Sequence, residues 1–120
     1  MAKILVVEDE REIAAQVAKY IVRENYEPII LNSGERVIET VKTQSPDIII
    51  LDVMLPVKNG VECCKEIREF SDIPIIMLTA RKTENDRIVG LKAGVDDYVC
   101  KPFSAKELML RISAVLKRYG

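Results

Sequence analysis

The chain has 120 residues, and 48% of them are hydrophobic, which is enough for the core of one domain. Eighteen basic and nineteen acidic residues give a net charge of −1, which argues against direct DNA binding through a basic face. No run approaches the ~20 apolar residues of a membrane span, and the first residues lack a signal-peptide pattern. We therefore expect one cytoplasmic domain, spanning residues 1–120, without membrane contact.

Short apolar segments predict the strands. Residues 3–7, 47–51 and 74–78 form β-branched runs, and 28–31 and 98–100 are shorter segments of the same kind. Runs without polar alternation are typical of strands buried on both faces, so they predict a parallel sheet.

Helices are predicted between the strands, where apolar residues recur at helical spacing. They cover about residues 10–24 and 34–43, a segment from Gly60, residues 83–94, and a segment from Ser104. The predicted inward-facing residues are Ile13, Val17, Tyr20, Ile21, Val37, Ile38, Val41, Cys64, Ile67, Phe70, Leu108, Ile112, Val115 and Tyr119. Gly90 near the middle of the fourth helix costs about 1 kcal/mol relative to alanine, which makes this helix the least stable.

Strict alternation of strand and helix in a chain this short leaves room only for short connections and right-handed crossovers. The sequence therefore predicts an α/β doubly wound parallel sheet. The three cysteines, Cys63, Cys64 and Cys100, have no CxxC spacing, so buried thiols in a reducing cytosol are expected rather than disulfides or zinc ligands.

Polar residues follow four of the strands. Glu8 and Asp9 follow the first strand, Asp52 the third, Thr79 the fourth and Lys101 the fifth. Ligands of open parallel sheets bind beyond the carboxyl ends of the strands, so we expect these side chains at one rim. Crowded carboxylates either rise in pKa or bind a cation, and oxygen ligands without histidine or cysteine favour Mg²⁺.

A metal opposite a hydroxyl and an ammonium group suits a phosphoryl group, and a carboxylate held there can become an aspartyl-phosphate. The alternative is that the acidic residues only end strands and cap the next helices, with Lys101 as a solvated surface lysine. That alternative does not explain why Asp52, Thr79 and Lys101 are expected at the same level of the sheet.

Five segments carry a family resemblance: ILVVEDE, DIIILDVMLPVKNG, PIIMLTA, GLKAGVDDYVCKPF and SAKEL. Through them the chain resembles the receiver domain of bacterial response regulators, in the OmpR/PhoB-like class. The resemblance implies a CheY-like (flavodoxin-like) fold with five strands in the order 2-1-3-4-5, flanked by five helices.

The resemblance also implies residue roles. Asp52 is the expected phosphoacceptor, with Thr79 and Lys101 contacting phosphoryl oxygens and a cis peptide bond between Lys101 and Pro102. The implied Mg²⁺ ligands are Glu8 (through water), Asp9, Asp52 and the backbone carbonyl of Met54. Tyr98 matches the switch aromatic that moves when the Thr79 hydroxyl is drawn to the phosphoryl group. The alternative for Tyr98 is an amphipathic aromatic residue at a sheet edge.

A group of charged and apolar residues matches the face through which this class dimerises. Its members are Arg87, Ile88, Leu91, Asp96, Asp97, Glu107, Arg111 and Arg118. An ordinary solvated surface is the alternative for such charges.

The chain contains no histidine, so its phosphoryl group must come from another protein or a small molecule. The resemblance implies a sensor histidine kinase as the partner, homodimerisation on phosphorylation, and a transcriptional output. DNA would be bound only by a winged-helix domain outside these residues. A stand-alone receiver is the alternative output. We expect no enzyme activity beyond the chain's own phosphorylation and dephosphorylation.

Two rival functions use similar chemistry. An aspartyl-phosphate phosphatase needs a second carboxylate two residues after its nucleophile, where this chain has Met54. A flavin or nucleotide binder needs a phosphate-cradling loop after the first strand, where the segment 8–10 (Glu-Asp-Glu) would repel phosphate.

Overall fold

The computed structural model describes residues 1–80 and 84–119. One parallel sheet is formed by β1 (Lys3–Val7), β2 (Glu27–Leu31), β3 (Ile48–Asp52), β4 (Ile75–Thr79) and β5 (Asp97–Cys100). Its strand order is β2-β1-β3-β4-β5. The predicted fold class and strand order are confirmed.

Five helices alternate with the strands: α1 (Arg11–Arg23), α2 (Val37–Gln44), α3 (Gly60–Arg68), α4 (Glu84–Lys92) and α5 (Ala105–Tyr119). Among the described residues, no helix has the length and apolarity needed to cross a membrane. The predicted start of the fourth helix at Thr83 lies outside the described residues. Helix α2 begins three residues later than expected, because residues 32–36 form bends and a turn.

Alternate residues of each strand face opposite sides, so the sheet separates two apolar layers. Ile50, Ile76 and Leu78 pack with residues of α1 and α5 on one side. Leu51 and Met77 pack with residues of α2 and α3 on the other. All residues of β3 and β4 are buried, as their unbroken apolar runs predict.

Two residues predicted to face the core do not. Phe70 is 43% exposed, since α3 ends at Arg68 and the helical spacing stops there. Its ring instead lies under the ammonium group of Lys42, 4.8 Å from the ring centroid. Tyr119 is 54% exposed at the end of α5, where its hydroxyl donates a hydrogen bond to Asp96.

No disulfide joins the three cysteines; Cys63 and Cys64 are buried, as predicted, whereas Cys100 is only half-buried. Burial raises the pKa of the Cys63 thiol to about 11 and also raises the pKa of Cys64. The Sγ atom of Cys64 lies 3.1 Å from the Ala93 carbonyl oxygen, so this thiol serves the packing of α3.

Helix α3 begins directly against the end of β3. The Asn59 side chain accepts a hydrogen bond from the Glu62 amide (2.9 Å) and donates one to its carboxylate (2.7 Å), which caps the helix. The Gly60 amide donates to the Val53 carbonyl at 2.9 Å. A Cβ atom on Gly60 would lie only 2.2 Å from the Asp52 carbonyl oxygen. Glycine is therefore required for this close approach.

We expect Gly60→Ala to lower the free energy of unfolding by about 1–3 kcal/mol, because the added methyl group overlaps backbone that cannot easily yield. Urea denaturation followed by circular dichroism measures the change. Lys65→Ala, on the exposed side of the same helix, should change the free energy by less than ~0.5 kcal/mol. Equal stability of Gly60→Ala and the parent would show that α3 can move away from Asp52.

Candidate functional site

The acidic residues predicted to share a rim do so. Glu8 follows β1 and Asp52 ends β3, and these two strands are hydrogen-bonded neighbours with Val7 opposite Leu51. Carboxylate oxygens of Glu8, Asp9 and Asp52 all lie within 4.8 Å of one another. Glu8 and Asp52 are buried, whereas Asp9 is exposed.

Lys101 joins the two buried carboxylates. Its Nζ atom lies 2.9 Å from Asp52 Oδ2 and 2.7 Å from Glu8 Oε1. The contact with Glu8 is an ion pair without the alignment of a hydrogen bond. The Lys101 side chain is only 12% exposed, so it is not a solvated surface lysine. Burial opposes its charge, but the bonds to Glu8 and Asp52 outweigh burial and raise the pKa of Lys101.

Burial disfavours the negative charge of Glu8 at this rim. Its side chain is 1% exposed, and burial raises its pKa to about 7. Lys101 and the Glu10 amide, which donates to Oε2 at 3.1 Å, lower the pKa only in part, and the charge of Asp52 raises it. One ammonium group therefore does not offset the cost of burying the Glu8 charge.

Asp52 is held at both oxygens. Oδ1 accepts a hydrogen bond from the Met54 amide at 3.0 Å, and Oδ2 accepts one from Lys101. Thr79, at the end of the next strand, is completely buried, and its carbonyl accepts a hydrogen bond from the Lys101 amide at 2.7 Å. The Lys101–Pro102 peptide bond is cis, as expected.

The donor set fits a hard divalent cation. The cluster offers carboxylate oxygens from Glu8, Asp9 and Asp52, and no histidine or cysteine is among them. Burial is the main cause of the raised pKa of Glu8, the charge of Asp52 adds to it, and Lys101 offsets the two only in part. A small oxygen-preferring ion is the species that such a cluster attracts.

Two residues that the sequence analysis did not identify support the cluster. The Asn32 side chain donates to the Glu8 carbonyl at 2.9 Å, and the Glu10 carboxylate lies 3.8 Å from Lys101 Nζ. The position of Asn32 directly after β2 is the sequence signal for its role, because β2 adjoins β1 in the sheet.

The residues of the predicted dimer face lie on α4, β5 and α5, except Asp96, which directly precedes β5. Ile88 and Leu91 are exposed, as are Glu107 and Arg118. The side chain of Arg87 lies outside the described residues. Arg111 bonds to Asp97 at 2.9 Å and to Glu107 at 3.1 Å.

The carboxylate of Asp96 is paired with other groups of the same chain. It forms an ion pair with Arg68 at 3.3 Å, accepts from the Ile75 amide at 2.8 Å, and bonds to the hydroxyl of Tyr119. The sequence analysis identified neither Arg68 nor Tyr119 as a partner of Asp96. Tyr98 is half-buried on β5 and packs against the core.

Comparison with known proteins gives a consistent answer. The family model described as "Response regulator receiver domain" matches residues 4–113. The chain is 44% identical over 116 residues to the transcriptional regulatory protein BaeR of Escherichia coli, covering 97% of this chain and 48% of that protein. It is 48% identical to the heme response regulator HssR of Staphylococcus saprophyticus, covering 100% of this chain and 54% of that protein. The chain thus spans about half the length of the curated relatives it matches.

Solved structures agree with the fold. The Francisella response regulator 1452 receiver domain superposes with a TM-score of 0.95 at 30% identity, over 100% of both chains. The BeF₃-activated N-terminal receiver domain of Klebsiella pneumoniae RstA has a TM-score of 0.91 at 31% identity, over 95% of this chain and 97% of that one. The predicted resemblance to receiver domains is confirmed.

The raised pKa of Glu8 predicts a pH dependence of stability. A carboxyl group whose pKa rises from 4.5 to about 7 on folding contributes stability below pH ~4.5, and this contribution is lost as the pH rises to ~7. Between pH 4.5 and 7, the unfolding free energy of the parent should therefore fall relative to that of Glu8→Gln. Urea titrations in chelator measure it.

Glu12→Gln is the control for this measurement, since Glu12 is exposed on α1. The difference in unfolding free energy between Glu12→Gln and the parent should stay constant over the same pH interval. A Glu8→Gln difference that is equally flat would contradict the assigned pKa of Glu8.

Proposed function

This chain belongs to the receiver domain family of two-component response regulators, and from that membership we propose that Asp52 accepts a phosphoryl group from a sensor histidine kinase. The same reaction with a small phosphoryl donor follows from the chemistry of the site. In this proposal the chain is a signalling switch that catalyses only its own phosphorylation and dephosphorylation.

The observation that carries the proposal is the pair of the buried Asp52 and the half-buried Lys101, joined at 2.9 Å. Among the three clustered carboxylates, the one on Asp52 accepts a hydrogen bond from Lys101. Its Oδ1 atom is oriented by the Met54 amide, so Oδ2 is the oxygen available to attack phosphorus once Lys101 moves. As the new O–P bond forms, the bond from phosphorus to the donor breaks, and the kinase histidine or the acetate of a small donor leaves with the bonding electron pair. Lys101 then bonds to a phosphoryl oxygen instead, and the Thr79 hydroxyl contacts another.

Glu8, Asp9, Asp52 and the backbone carbonyl of Met54 would hold Mg²⁺ in this proposal. When bound, the ion supplies neutralising charge for the transferred phosphoryl group. The chain itself orients Asp52 through the Met54 amide and keeps water away from it by burial. Met54 stands two residues after Asp52, where a phosphatase of this kind needs a carboxylate, so the sequence gives that function no support.

We assign the output to the OmpR/PhoB-type class. The relatives named as a transcriptional regulatory protein and a response regulator are about twice as long as this chain. In our proposal a winged-helix domain in the remaining half binds DNA. Phosphorylation drives homodimerisation through the dimer face, with Ile88 and Leu91 as its apolar centre. Exposed ion pairs such as that of Arg111 contribute mainly to register.

Acetyl phosphate should label Asp52 alone. We expect a mass increase of one phosphoryl group that maps to this residue after trapping of the acyl phosphate. Asp52→Asn should lose the label, whereas Glu12→Gln should keep it. Chelation of divalent cations should reduce the rate by at least about 100-fold, since the protein contributes mainly positioning. A label on Asp9 or Glu8, or an undiminished rate in excess chelator, would refute the assignment.

Beryllofluoride, a phosphoryl mimic, should convert the chain to a dimer. A coupling of roughly 1–3 kcal/mol corresponds to a dimerisation constant about 5–150 times larger, which sedimentation velocity can resolve. Leu91→Asp should abolish this gain by placing a charge at the apolar centre. Leu110→Asp is the matched control, because Leu110 is also exposed but lies near Tyr20 beside α1.

Dimerisation of Leu91→Asp equal to that of Leu110→Asp would show that the contact lies elsewhere. A parent chain that stays monomeric with the mimic at high micromolar concentration would refute phosphorylation-driven dimerisation.

A further inference from the structure

Gly90 lies near the middle of α4, where glycine lowers helix stability relative to alanine. It is buried, whereas its neighbours Ile88, Val89 and Leu91 are exposed. A residue without a side chain thus forms part of the buried side of this helix. Its position therefore requires a reason in the packing beneath it.

The aromatic ring of Tyr98 supplies that reason. A Cβ atom on Gly90 would lie 3.0 Å from both Cδ2 and Cε2 of Tyr98, and 3.4 Å from the Sδ atom of Met77. Carbon atoms in normal contact are about 3.5–4.0 Å apart, so a methyl group there would displace the ring. The ring of Tyr98 lies directly on the α4 backbone at Gly90.

The contacts of Lys101 show which state of the site this packing belongs to. Its Nζ atom bonds directly to Asp52 Oδ2 at 2.9 Å. A phosphoryl group on Asp52 would attract Lys101 to its own oxygens, so the direct bond is typical of the site before phosphoryl transfer. The ring position on Gly90 belongs to the same arrangement.

We propose that Gly90 is a positioning residue for Tyr98: its bare backbone is the surface that holds the ring in the resting position. If the ring of Tyr98 leaves that surface, α4 loses its buried contacts with the ring. The same helix carries Ile88 and Leu91. Gly90 therefore links the position of the ring to the presentation of the dimer face. This inference rests on the proposed function and on the switch role that the resemblance implies for Tyr98.

A double-mutant cycle tests the contact itself. In a Tyr98→Ala background, Gly90→Ala should raise the folding equilibrium constant about five-fold, because only its helix propensity remains. With Tyr98 present, the same change should lower that constant by at least about two-fold, because the methyl group meets the ring. Tyr98→Leu replaces Tyr98→Ala if the latter does not fold.

Lys92→Ala, exposed on the same helix, is the control and should have the same effect in both backgrounds. Equal effects of Gly90→Ala in the two backgrounds, as for additive independent sites, would overturn the inference.

The link to the switch has a separate readout. Without beryllofluoride, Gly90→Ala should dimerise at least about five-fold more tightly than the parent, which corresponds to the lower end of ordinary coupling energies. The ring signals of Tyr98 in carbon–proton NMR spectra should move from their resting position toward that of the beryllofluoride form. Labelling of Asp52 by acetyl phosphate should stay within two-fold of the parent, since Gly90 does not contact the site.

The outcomes separate the two hypotheses. Unchanged dimerisation and unchanged Tyr98 signals in Gly90→Ala would overturn the positioning role. If the parent itself fails to dimerise with beryllofluoride, the proposed function fails, and the double-mutant cycle still decides whether Gly90 holds the ring.

Discussion

The arrangement of the site depends on one buried cation that two carboxylates share. Lys101 lies 2.7 Å from Glu8 and 2.9 Å from Asp52, and none of the three side chains is well exposed. Removing Lys101 would leave two buried carboxylates without a counter-charge, which is costly. The three groups therefore fix the ends of β1, β3 and the segment after β5 relative to one another. The same balance leaves negative charge in excess, which is the basis for attracting a cation.

The fold itself brings these side chains together. Each participating side chain stands at or just beyond the carboxyl end of a strand, so the parallel order of the sheet brings them to one rim. Two apolar layers hold the strands rigidly, and α3 closes against the Asp52 carbonyl through Gly60. Asp52 thus sits at the end of a fully buried strand, whereas the proposed dimer face includes the exposed residues Ile88 and Leu91 of α4.

The sequence predicted the sheet and the polar residues at its rim, because the positions of both follow from where the apolar runs end. The β3 segment and Asp52 could be read directly, since burial on both faces leaves no polar residue within a strand. The prediction that Phe70 and Tyr119 face the core was wrong, because helical periodicity does not show where a helix ends or where its last turn lies. The bonds of Asp96 to Arg68 and Tyr119, and the packing of Tyr98 on Gly90, join residues from separate elements. Such contacts depend on tertiary distances that periodicity does not contain.

A structure of the chain with beryllofluoride bound would show the proposed phosphoryl site itself. We expect beryllium bonded to Asp52 Oδ2, with Lys101 Nζ within hydrogen-bonding distance of a fluorine atom and no longer bonded to Asp52. Beryllofluoride on Asp9 or Glu8, or Lys101 still bridging Glu8 and Asp52 with the mimic in place, would contradict it.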